Sequence, residues 1–283
     1  MRERTLINIV LLLVVAGLTV FIVFAPKKET RLDLSPLSNE NPRAISHIRL
    51  ESSAGGTIGL RRTDGAWLLI DPMRIAANDF RVNSLVRVLQ APVHARIDAG
   101  PEQLARFGLS PPRARILLDE KEILFGDTDP IHGRRYLLYD GKIALVDDAY
   151  FSHLSSSAAN YVNLALLGRD PSPQNFLLPD IHVYRDAGNW RLDSDDGKVN
   201  TDSVSRLVDS WRHAQATAVR PYEQSLDWND VIRIELTDRD VRFDLARTEY
   251  ELILGRPELG IQYHLTKRTG ARLLGFTPPD KSG

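Results

Sequence analysis

The chain opens with its longest apolar run. LINIVLLLVVAGLTVFIVF occupies residues 6–24, opening on Leu6 and closing on Phe24, without one charged side chain. As a helix rising ~1.5 Å per residue it would reach roughly 28 Å, close to the ~30 Å hydrocarbon core of a bilayer. The pattern therefore predicts an uncleaved membrane anchor over 1–24. A cleaved leader would need small residues at its exit, and VFIVFAPKKET places bulky Val23 and Phe24 there. Residues 25–44 are polar and broken by Pro26, Pro36 and Pro42, which predicts a flexible tether.

From residue 45 the periodicity changes. ISHIRLES, TIGLRR and AWLLID alternate as strands do, whereas NDFRVNSLVRVLQ spaces Val82, Leu85, Val86 and Leu89 as one helix face, with Asn78 or Asp79 as its N-cap. A short strand, PVHARI, and a short helix, PEQLARFG, follow. RARILLD, KEILFGD, RRYLLYDG and KIALVDD then predict four strands joined by tight turns.

The second half repeats this order. IHVYRDAGNWRLD reads strand, turn, strand, and its GNWRL matches the earlier GAWLL, so Trp190 answers Trp67. TDSVSRLVDSWRH carries Val204, Leu207, Val208 and Trp211 on a helix face. ATAVR answers PVHARI, and PYEQSLDW answers PEQLARFGL. VIRIELTD, VRFDLAR, YELILGR, IQYHLTK and ARLLGF then read as strands, in which Gly255 matches Gly126 and Tyr263 matches Tyr136.

The expected fold is α+β: an N-terminal transmembrane helix, then two duplicated units, each a mostly antiparallel sheet packed with a helix. A first repeat covers 45–167 and ends in a helical connecting segment with no twin. The proline-rich stretch 168–180 reads as a linker, 181–276 as the second repeat and 277–283 as a tail.

Composition narrows the chemistry. With 36 basic and 37 acidic residues in 283, and a net charge of −1, no global field draws the chain to nucleic acid. The absence of cysteine excludes disulfides, thiolate metal sites and a lipid-bearing cysteine. Around the apolar run, Arg2, Arg4 and the amino terminus against Glu3 give about +2, while Lys27, Lys28 and Arg31 against Glu29 and Asp33 give about +1. That bias places the large domain outside the cytoplasm.

No nucleophile elbow, zinc-binding helix or phosphate loop appears. The glycines of SSAGGTIG lie between strands, so they read as a hairpin turn. One loop, GDTDPIHGRR, gathers Asp127, Asp129 and His132, which would bring oxygen and imidazole donors to one cation, or Arg134 and Arg135 to an anion. Against a metal, the Asp-x-Asp runs into Pro130 and its counterpart loop keeps only Glu258, so a polar turn is the simpler reading. The Asp147-Asp148 pair reads as complementing a helix N-terminus. No cofactor is expected.

Three stretches carry a family resemblance: GAWLLIDPMRIAANDFRVNSLVRVLQ, LARFGLSPPRARILL and LFGDTDPIHGRRYLLYDGKIALVDDAY. The chain resembles the bacterial family catalogued as domain of unknown function 4340, through Gly65 and Trp67, Arg106 to Leu109 with Pro111 and Pro112, and Phe125 to Asp127 with Pro130, Gly133, Arg134 and Tyr136. The resemblance is weaker over the second repeat, which lacks the R-F-G-L-x-P-P segment. It implies a membrane-anchored protein, often carrying its domain in tandem and encoded beside ABC-type transporters of the gliding-motility kind, and it implies no catalytic residues.

The expectation is thus a non-enzymatic, single-pass protein of the bacterial inner membrane whose periplasmic domain binds a membrane-protein partner, transporter subunits among the candidates. The alternative is an envelope module taking a glycan or lipid in a cleft between the repeats, lined by aromatics such as Tyr139, Tyr161 or Tyr184.

Overall fold

A computed structural model describes residues 34–275 apart from 53–55, 99, 155 and 194–200. The expected anchor over 1–24, residues 25–33 of the tether and the 277–283 tail lie outside the described residues. Among the described residues no helix is long and apolar enough to cross a membrane.

Two sheets form the body, and every strand pairing is antiparallel. The first contains β1 (His47–Ser52), β2 (Gly56–Thr63), β3 (Ala66–Asp71), β4 (Ile75–Ala76), β5 (Ala95–Ile97), β6 (Ala114–Leu118), β7 (Lys121–Thr128), β8 (Arg135–Tyr139) and β9 (Lys142–Val146). Its spatial order is β4-β3-β2-β1-β6-β7-β8-β9-β5. The second contains β10 (Pro173–Leu177), β11 (His182–Asp186), β12 (Asn189–Asp193), β13 (Ala218–Pro221), β14 (Trp228–Leu236), β15 (Asp240–Arg247), β16 (Glu251–Arg256) and β17 (Ile261–Thr266). Its order is β12-β11-β10-β14-β15-β16-β17-β13. Three longer helices accompany them: α1 (Asp79–Val86), α2 (Thr201–Arg212) and α3 (Lys267–Leu274). The fold is α+β, as expected.

Apart from β4 the two orders correspond strand for strand. A three-strand meander comes first, a four-strand meander follows in the chain and sits beside it, and the strand after the helix closes the far edge. The local chemistry corresponds too. Asp64-Gly65 and Ala187-Gly188 turn their hairpins with positive φ at both positions (52° and 78°, 47° and 86°), the geometry that matches strand twist in a two-residue loop. Trp67 then pairs with Arg62, and Trp190 with Arg185. The two indoles therefore occupy the same place in their sheets.

The helices follow their sequence signals. The Asn78 side chain accepts from the Arg81 N–H and caps α1, whose Val82, Leu85 and Val86 are buried. In α2, Val204, Leu207, Val208 and Trp211 are buried.

Four expectations are corrected. Gly255 lies on β16 and Gly126 on β7, whereas the counterpart of β7 is β15; Tyr263 on β17 and Tyr136 on β8 are out of step in the same way. Similar alternation on successive strands lets an alignment slide by one whole strand without penalty. The stretch 168–180 is not only a linker: its residues 173–177 form β10, between β11 and β14, with Phe176 wholly buried. Pro173 is tolerated because it opens the strand. ARLLGF contributes to helix α3 instead of a strand. The Thr266 hydroxyl caps that helix by accepting from the Thr269 N–H at 3.2 Å, and Gly270 and Leu273 form its buried face. Finally, residues 36–44 are packed down instead of tethering. Leu37 is buried, its N–H donates to the Ala91 carbonyl at 2.9 Å, and Pro36 bridges Pro92.

The segment without a twin joins the two sheets. Its short helical turns lead into an irregular strap over 161–168 that bonds to both halves. On one side the Asn78 N–H donates to the Tyr161 carbonyl (2.7 Å) and the Asn163 N–H to that of Ala76 (2.9 Å). On the other the Ala216 N–H donates to the Leu164 carbonyl (2.8 Å) and the Leu166 N–H to that of Ala214 (3.2 Å). With Leu166 and Leu167 buried, one apolar core runs from sheet to sheet.

Candidate functional site

A cleft of about 320 Å³ opens where the strap meets both sheets. The first sheet supplies Leu68 on β3 and the Arg74–Ala76 corner. The strap supplies Asn163 and the run from Ala165 to Arg169. The second sheet supplies Arg239 just before β15, Val241 on it, and Arg256, Leu259 and Tyr263 around the β16–β17 turn. Leu68 faces away from Trp67 because strand side chains alternate, so the first sheet's indole supports the core while its neighbour lines the cleft.

Arg74, Arg169, Arg239 and Arg256 all line this space, and none of its described lining residues is acidic. Three of the guanidinium groups are held from behind. Arg169 pairs with Asp79 at the start of α1. Arg239 donates through Nη1 to Asp238 (2.5 Å) and through Nη2 to the Leu167 carbonyl (2.6 Å). It lies against Gly168, where φ is +82° and a Cβ would stand 3.1 Å from Nη2. Arg256 donates to Glu258 at 2.8 Å and sits 6.0 Å above the Phe243 ring. Arg74 is exposed and has no ion-pair partner among the described residues. At the floor, burial pushes the Tyr263 phenol up to about 12 against the opposing pull of Arg256, so it stays neutral. The arrangement can attract an oxyanion and rest an apolar group on Leu166, Val241 and Leu259.

The residues singled out in GDTDPIHGRR lie elsewhere and do not converge. Asp127 accepts from Arg113 Nε at 2.7 Å. The buried Asp129 carboxylate accepts from the N–H groups of Ile131 (2.9 Å), His132 (3.1 Å) and Arg134 (3.1 Å). Burial raises its pKa, but those three donors outweigh that and hold it below the ordinary carboxylate value. Exposed His132 stands 3.7 Å away through Nδ1. Among the described residues no group of three or more His, Cys, Asp or Glu is arranged to hold a metal ion. Arg135 faces inward: Nη1 donates to the Gly126 carbonyl at 2.5 Å, Nε pairs with Asp148, and the plane covers Phe151 at 3.7 Å. Asp147 hydrogen-bonds His94 Nε2 at 3.1 Å, and the acid pair opens the short helical turn Asp148–Tyr150, with Asp147 at its N-cap.

The sequence signatures prove architectural. R-F-G-L-x-P-P folds back over the F-G-D hairpin: Phe107 meets Tyr136 edge-on at 4.9 Å, and the Arg113 N–H donates to the Phe125 carbonyl at 2.7 Å. Gly126 is needed because a Cβ there would come 2.2 Å from the Phe107 carbonyl oxygen. Tyr139, Tyr161 and Tyr184 do not line the cleft. Tyr139 donates to Ser38, Tyr161 to the His153 carbonyl, and Tyr184 lies on the outer side, beside His182. No sequence spacing announced the four cleft arginines, which come from four separate segments.

A family model described as domain of unknown function (DUF4340) matches residues 67–241. The match begins at Trp67 on β3, crosses the strap without a break and ends at Val241 on β15, so it takes in parts of both sheets. No curated protein and no solved structure matches the chain.

Proposed function

The chain belongs to the DUF4340 family, and from that premise we propose that it is a non-enzymatic, single-pass protein of the bacterial inner membrane whose periplasmic body docks a membrane-protein partner. An accessory role beside an ABC-type transporter is the form this takes in our reading. One observation carries it: the charge-free run 6–24 precedes a body in which two sheets are bonded into one unit. Anchoring confines that body to a thin layer near the bilayer and raises its effective concentration toward partners there. The shared strand order supports reading the halves as a duplicated unit.

Crosslinking in intact cells, followed by purification of the full chain in detergent, tests this. Recovery of transporter subunits in fixed ratio is the expected result. Release of the chain by alkaline carbonate, with its N-terminus cut near residue 24, would remove the anchor and the proposal with it. The cleft favours a second reading, in which the body binds a small ligand between its sheets.

A further inference from the structure

Four guanidinium groups around about 320 Å³ repel one another, and repulsion of that kind costs stability unless something answers it. Asp79, Asp238 and Glu258 answer three of them from outside the lining. Each carboxylate occupies part of a fork that carries five N–H donors. Arg74 is unanswered. Two of the arginines also have little freedom left to lose, because Arg239 is bonded on two sides and Arg256 sits over an aromatic ring. A ligand would meet donors already in place. Gly168 leaves room for Arg239, and a Cβ there would crowd its Nη2 at 3.1 Å. Beside the charges the wall is aliphatic, through Leu68, Ile75, Leu166, Val241 and Leu259.

We infer that this cleft binds an anionic amphiphile, its oxyanion head of the phosphate or carboxylate type held by Arg74, Arg169, Arg239 and Arg256 and its apolar part laid on the aliphatic wall. This rests on the second reading above, that the cleft holds a ligand. The volume sits at the small end of the ~300–1,000 Å³ range for small-molecule sites, so it admits a head and the first part of a chain and leaves a longer tail outside. Arginine suits the head because its planar fork grips two oxygens at once. Neutral Tyr263 adds no negative charge to oppose it.

The test is calorimetric titration of the full chain in phosphatidylcholine nanodiscs, corrected with empty nanodiscs. The probes are hexyl phosphate, inorganic phosphate, hexyl glucoside and hexyltrimethylammonium. Hexyl phosphate is expected to saturate at one site, at least about tenfold tighter than inorganic phosphate. Arg74→Glu, on an exposed side chain whose loss spares the fold, is expected to weaken it about tenfold, the scale of a lost charge-assisted hydrogen bond. Inorganic phosphate binding as tightly as hexyl phosphate would overturn the amphiphile and leave a free-oxyanion site. Hexyl glucoside binding as well as hexyl phosphate, with Arg74→Glu silent, would overturn the inference while leaving a ligand cleft. Saturation by none of the probes would overturn both.

Discussion

The two halves share a strand order but fill the layer between sheet and helix differently. In the first, Trp67 reaches from β3 to α1: its backbone N–H donates to Asp79 Oδ1 at 3.1 Å and its Nε1 to Asn83 Oδ1 at 3.4 Å. In the second, the equivalent Trp190 is only partly buried, and the central indole is Trp211, which reaches from the helix to the sheet. Trp211 is fully buried between Phe176 and Phe243, at 6.2 Å from each ring, and donates to the Leu273 carbonyl at 2.9 Å. Each half holds a buried indole whose polar edge must find a partner, supplied by a strand in the first half and, in exchange, by the helix in the second.

The largest expected effects test that exchange. Trp67→Ala and Trp211→Ala should each lose about 3–5 kcal/mol of stability, the usual cost of emptying a buried aromatic site. Trp190→Ala should lose well under half as much. Chemical denaturation of the three variants decides it. A Trp190 loss equal to that of Trp211 would mean the two halves keep their cores at the same residue after all.

A smaller effect separates the two glycines that sit under crossing segments. Gly126→Ala would drive a Cβ to 2.2 Å from the Phe107 carbonyl oxygen, which is backbone. Gly255→Ala would meet the Tyr222 ring at 2.6 Å and that of Trp228 at 2.8 Å. Those rings stack on each other at 4.8 Å on a partly exposed surface, from which they can lift. Overpacking of this kind costs about 1–3 kcal/mol, with Gly126→Ala expected at the upper end and Gly255→Ala at the lower. Thermal melts of the pair measure the difference, and the reverse order would show that the second crossing is the stiffer one.

Much of this was legible in the sequence, for reasons that set the limit. Alternation found the strands, Asn78 announced its cap, and the matched hairpins before Trp67 and Trp190 located equivalent positions through their shared turn chemistry. Features that depend on which strand lies beside which were not legible. A meander of similar strands hides a one-strand slip, as with Gly126 and Gly255. Prolines at 171 and 173 masked β10, because what makes it central is its pairing with β14. The strap looked like spare helix, since its bonds go to residues 76–78 on one side and 214–216 on the other. The cleft was the least visible of all: Arg74, Arg169, Arg239 and Arg256 share no spacing and meet only once both sheets are in place.

The gentlest distinction between the halves is electrostatic. Asp119 takes the backbone N–H groups of Ser46 and His47 and the Ser46 hydroxyl, clasping the start of β1 to the β6–β7 turn. Burial raises its pKa, yet these donors bring the net value below the ordinary one, as three N–H groups do for Asp129. Both carboxylates belong to the first half. A depressed folded pKa contributes stability that is present above the unfolded value of about 3.9 and is lost as pH falls through the folded value. Between neutrality and pH 5 both clasps should hold. Below about pH 4 the Ser46–His47 and Ile131–Arg134 amides should lose hydrogen-exchange protection, measured against the intrinsic rate at each pH, while amides of the β10–β11 ladder keep theirs over the same first steps. Asp119→Asn should reproduce the first part of that change at neutral pH, because all three donors meet Oδ1 and a neutral amide oxygen accepts them more weakly than a carboxylate oxygen does. Uniform loosening of both sheets on acidification, or a silent Asp119→Asn, would place the acid-sensitive contacts outside these two loops.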